Sequence, residues 1–74
     1  MSHLPHVAGR TLLAALRRGG FVLDHVTGSH HILIGPSGQR AVVPAHAGET
    51  LRPKTLLSIL RQAGLSIEEF MKLL

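Results

Sequence analysis

Cysteine, tryptophan and tyrosine are absent from this 74-residue chain. Without cysteine there is no disulfide framework and no thiolate-ligated zinc site, and the zero count fits a cytoplasmic protein. Phe21 and Phe70 are the two aromatics. Both fall at expected core positions, so the exposed platforms on which RRM and OB domains stack bases are missing. Acidic side chains are also scarce. Four Asp and Glu oppose eight Lys and Arg, a formal net charge of +4. That balance favours a polyanionic partner, either nucleic acid or an acidic protein. No apolar run approaches the ~20 residues of a membrane span, and Met1 to Gly9 lacks the layout of a signal peptide. A chain of this length holds one small domain, 1–74, of a size that gains from a partner.

The apolar pattern supplies an element order. Residues 1–8 read as a loose N-terminal arm. A first helix opens near Gly9, carries Leu12, Leu13 and Leu16 on one stripe, and stops at Gly19-Gly20. Phe21 to Val26 reads as a strand, His30 to Ile34 as a second and Arg40 to Val43 as a third. The Gly35-Pro36-Ser37-Gly38 turn makes the last two a hairpin, and Pro44 stops the third strand. Residues 45–52 form a loop. Pro53 suits the first turn of a helix whose stripe is Leu56, Ile59, Leu60 and Ala63, ended by Gly64. Ser66 and Glu69 have capping-box spacing before a short last helix with Ile67, Phe70, Met71 and Leu74 on one face. The fold class is therefore α+β, ordered α-β-β-β-α-α, with helices covering one face of a three-stranded antiparallel sheet.

One stretch bears chemistry: Gly28-Ser29-His30-His31, a turn that delivers two imidazoles to the mouth of a strand. Imidazole, with an unperturbed pKa of ~6.5, can give or take a proton near neutral pH. His30 reads either as a proton carrier for RNA chemistry or as a histidine that finishes a strand at the core edge. Alternation puts His30 on the side of Ile32 and Ile34, and His31 with Leu33. Ser29 is a phosphate donor or simply a turn residue. His46, in the loop, is a second acid–base group, part of a metal site or a loop-stabilising residue. His3, His6 and His25 carry no usable pattern.

Gly19-Gly20-Phe21, Gly28-Ser29-His30-His31-Ile32, Val43-Pro44-x-His46 and the run from Leu51 through Ile59-Leu60-Arg61-Gln62-Ala63-Gly64-Leu65 together resemble HicA toxins, the toxin halves of HicA–HicB toxin–antitoxin pairs. The likeness covers roughly residues 9–74. It implies a fold like a double-stranded-RNA-binding domain and an mRNA interferase activity. It places the catalytic histidine directly after Gly-Ser, at His30, and implies a HicB-type antitoxin that masks it. Two positions depart from the family. Thr27 stands where Lys or Arg is common, and Arg52-Pro53-Lys54-Thr55 replaces Pro-Lys-Gly-Thr.

The expected chemistry follows. The ribose 2′-hydroxyl attacks the adjacent phosphorus once a base takes its proton and an acid assists the leaving 5′-oxygen. DNA lacks that hydroxyl, so the reaction is RNA-selective. His30 is the expected proton-transfer residue, with no metal or other cofactor required. Arg40, Arg52, Lys54 and Arg61 are the cations expected near the phosphate, with Ser29 as a neutral donor. The free protein is expected to be a cytoplasmic monomer that meets mRNA and an antitoxin. The rival readings are a non-catalytic RNA- or DNA-binding module of the same fold, and an interaction domain for an acidic protein.

Overall fold

A computed structural model describes residues 4–44 and 48–74. His3 and His46 lie outside the described residues. Helix α1 (Gly9–Arg18) buries Leu12, Ala15 and Leu16. The chain reverses at Gly20, whose φ of +92° suits a residue without a Cβ. Phe21 then drops into the core, 4% exposed, so β1 (Val22–Thr27) begins one residue later than the strand pattern suggests. Gly28-Ser29 joins it to β2 (His30–Ile34), and Gly35 to Gln39 lead on to β3 (Arg40–Pro44). The sheet is antiparallel in the order β1-β2-β3. Pro44 ends the third strand from inside it, which an edge strand tolerates because proline's missing N–H leaves no outer strand short of a donor.

Leu33, Ala41 and Val43 are fully buried and share a cluster with Leu12 and Leu16 of α1, Leu56, Ile59 and Leu60 of α2 (Pro53–Ala63) and Phe70 of α3 (Ile67–Lys72). Burying such side chains contributes about 1.5–3 kcal/mol each. The helices therefore cover one face of the sheet, as the sequence pattern predicts. Cross-strand pairing places Val22, Ile34 and Arg40, then His25, Ile32 and Val42, then Thr27, His30 and Pro44 in rows on the opposite, open face.

Two local features differ from expectation. The end of the arm is tied rather than loose: Val7 is buried, its carbonyl accepts the Leu51 N–H, and Ala8 bridges Thr50. This pairing fixes the approach to α2. In the last helix Phe70 is buried and Ile67 packs beside it, but Met71 and Leu74 are exposed, each at 47%. The helix ends at Lys72, so Leu73 leaves the helical stripe and packs on the core instead. The Arg18 guanidinium donates to the Leu73 carbonyl at 2.8 Å, holding the chain end against α1.

Candidate active site at the open side of the sheet

Gly28, at φ +53°, closes the two-residue turn between β1 and β2. The next residues are Ser29, exposed in the turn, and His30, the first residue of β2. Alternation turns the His30 side chain to the open face, and it is exposed. The alternative in which His30 only finishes a strand gains weight if the side of Ile32 and Ile34 is the core. The helix-covered side is instead that of His31 and Leu33. His31 is half-buried there, between Val26 and Val43 in the pairing, and its Nδ1 has no hydrogen-bond partner among the described residues.

His30 opens onto a cleft between the sheet and α2. Val42 and Pro44 contribute from β3, and Lys54, Thr55, Ser58, Ile59 and Gln62 from the helix. No carboxylate lines it, whereas an ammonium, two hydroxyls and an amide do. The start of α2 adds to this bias. Its first turn carries no acidic residue, Arg52 at the N-cap makes no side-chain cap, and Pro53 sits at the first position. The positive end of the helix dipole is therefore left unneutralised beside Lys54 and Thr55.

Ser58 and Gln62 are cleft residues that the sequence reading missed. Gln62 Oε1 accepts the Val42 N–H at 3.0 Å, so its Nε2 is turned along the helix toward Ser58 Oγ, 3.5 Å away. The signal was present in the sequence: Lys54, Ser58 and Gln62 recur every four residues on the polar side of the Leu56–Ile59–Leu60–Ala63 stripe.

The expected phosphate contacts separate by position. Lys54 shares the cleft with His30. Arg52 lines an adjoining hollow together with Glu49, and Pro44 and Thr55 belong to both depressions. Arg61 is exposed on the azimuth of Lys54, about 10 Å further along α2. Arg40 pairs with Ile34 at the far end of the hairpin, about 14 Å along the strands from the His30 row. Among the described residues, no three His, Asp or Glu side chains converge as a metal site.

The fold and the cleft define a small basic α+β domain that offers an anion an imidazole, an ammonium and neutral donors. A profile of the HicA toxin of bacterial toxin–antitoxin systems matches residues 9–65. The chain belongs to that family: it is the toxin of a toxin–antitoxin pair, and its family implies a cognate antitoxin as partner. No curated protein matches it. No helix among the described residues is long and apolar enough to cross a membrane.

Proposed function

We propose that this toxin is a metal-independent endoribonuclease, an mRNA interferase, in which His30 transfers protons at a ribose–phosphate junction. The observation that carries the reading is the exposed His30 imidazole opening onto the same carboxylate-free cleft as Lys54. The cleft's electrostatics favour a phosphodiester, and the imidazole supplies acid or base near neutral pH. Arg52, Ser29 and, further along α2, Arg61 extend the positive or donor surface on which a strand would lie. Arg40 would meet the backbone only several nucleotides away. The protein acts in the cytoplasm as a monomer when free, and a HicB-type antitoxin silences it by covering the His30 side of the sheet.

The test is cleavage of a long single-stranded RNA by the purified protein with EDTA present throughout. Wild type is expected to cut, and His30→Ala to lose about 100- to 10,000-fold in rate while still binding the RNA. Full activity in His30→Ala removes the role. Loss of wild-type activity on chelation removes the metal independence. Salt-dependent binding without cutting supports the binding-module reading instead.

A further inference from the structure

Proton transfer in RNA cleavage needs a base at the 2′-hydroxyl and an acid at the 5′-oxygen, and the cleft described above holds one imidazole. The geometry points to His25, oriented by Asp24, as the second: His25 is the general base for which His30 is the acid. This rests on the ribonuclease reading and adds a second catalytic residue to it.

Consecutive residues in a regular strand point to opposite faces. Asp24 and His25 do not. Asp24 Oδ2 lies 2.6 Å from His25 Nδ1. The cause is a break in register: Leu23 pairs with Leu33 and His25 with Ile32, so Asp24 is an extra residue in β1. Such a bulge leaves two residues opposite one and re-aims a side chain. Here it brings a carboxylate to the imidazole's side.

That side is the open face. His25 pairs with Ile32 and Thr27 with His30, so His25 and His30 are diagonal neighbours on one face, with Cα atoms about 7–8 Å apart and side chains within mutual reach. Ile32 supports this placement. It is 4% exposed yet stands outside the helix-facing core cluster. On its own face its neighbours are His25 and Val42 across the strands and His30 and Ile34 along β2. The two imidazoles flank this apolar floor. The other charged groups on the face are Asp24, beside His25, and Arg40 in the far row, with Lys54 reaching in from α2 beyond β3.

The carboxylate assigns the roles. Accepting the Nδ1–H of His25, Asp24 leaves Nε2 as the free acceptor and stabilises the imidazolium that forms. His30 has no carboxylate partner among the described residues. In the reaction the 2′-O–H proton passes to His25 Nε2 and the 2′-oxygen bonds to phosphorus. The P–O5′ bond breaks, and the 5′-oxygen takes a proton from the His30 imidazolium. The products are a 2′,3′-cyclic phosphate and a 5′-hydroxyl, and proton exchange with water resets both rings.

The assignment is tested on an oligoribonucleotide spanning a site the wild-type protein cuts, and on its analogue with sulfur in place of the bridging 5′-oxygen. A thiolate leaves without protonation, so loss of the acid is tolerated on the analogue and loss of the base is not. His25→Ala is expected to lower kcat at least about 100-fold on both substrates, to lose the acidic limb of the pH–rate profile, and to melt like the wild type because both dyad residues are exposed. His30→Ala is expected to fail on the oxygen substrate and to recover on the sulfur one. Asp24→Asn, a positioning change, is expected to lower kcat less than His25→Ala does and to leave KM unchanged. A His25→Ala protein with wild-type kcat overturns the inference and leaves the His30 reading intact, as does rescue of His25→Ala but not His30→Ala by sulfur. A wild-type protein that cuts no RNA overturns both.

Discussion

At the scale of single residues, Gly28 shapes the turn that delivers His30 two positions later. Gly28 holds φ +53° with open space where a Cβ would sit. Gly28→Ala therefore meets no clash and bears only the left-handed backbone cost of about 1–2 kcal/mol. The expected result is a lowered melting temperature, together with a larger loss of activity, because the turn delivers His30. Unchanged melting would mean the turn does not need its glycine. The position of His30 was legible in the sequence, since Gly-Ser-His at the mouth of an apolar run marks it, and alternation grouped it with Ile32 and Ile34 but did not say which face the helices cover. Asp24 and His25 were not. Alternation assigns neighbouring strand residues to opposite faces, and nothing in Leu23-Asp24-His25-Val26 announces the extra residue that breaks the rule.

At the scale of elements, caps and edges decide where helices start and how the cleft is held. In the capping box of α3, Ser66 Oγ accepts the Glu69 N–H at 3.0 Å and Glu69 Oε1 accepts the Ser66 N–H at 2.9 Å. The Ser66 backbone N–H first, and then its hydroxyl, hold the Glu69 carboxyl below its usual range. A carboxyl lowered in the folded state contributes stability above its unfolded pKa, lost as pH falls through the lower folded one. Ser66→Ala is expected to cost about 1 kcal/mol with little dependence on pH, because it removes the Oγ that accepts the Glu69 N–H and keeps the Ser66 N–H that the carboxylate accepts. Glu69→Gln is expected to flatten the fall of stability in acid denaturation curves, and a variant that falls as steeply as the wild type would contradict the carboxylate half of the cap. The box was readable from Ser66-Ile67-Glu68-Glu69, as was the αL end of α2 at Gly64. The Gln62 bond to β3 was not, because it joins residues 20 apart. Gln62→Leu strips the Val42 N–H of its partner and should destabilise by about 1 kcal/mol, read as a shift in the denaturant midpoint.

At the scale of the whole molecule, the net charge of +4 is not evenly useful. Lys54 and the uncapped start of α2 gather at the cleft, whereas Arg40 stands at the other end of the hairpin. The element order, and the covering of one sheet face by helices, followed from apolar periodicity. The grouping of cations did not, since it depends on how α2 lies along β3 and on the paired segments Val7–Gly9 and Glu49–Leu51 that lead into it. Phosphate contacts release counterions, so RNA affinity is expected to fall with salt. Lys54→Ala should weaken binding across all sequences and reduce the log–log salt slope by about 1. Arg40→Ala should change short-oligonucleotide binding far less.

The most direct measurement is mass analysis of the ends produced when the wild-type protein cuts an RNA in EDTA, beside the same digest with His30→Ala. A 2′,3′-cyclic phosphate and a 5′-hydroxyl are expected from the wild type, and the same ends formed at least about 100-fold more slowly from the variant. Ends bearing a 3′-hydroxyl and a 5′-phosphate, or equal cutting by the variant, would contradict the role of His30.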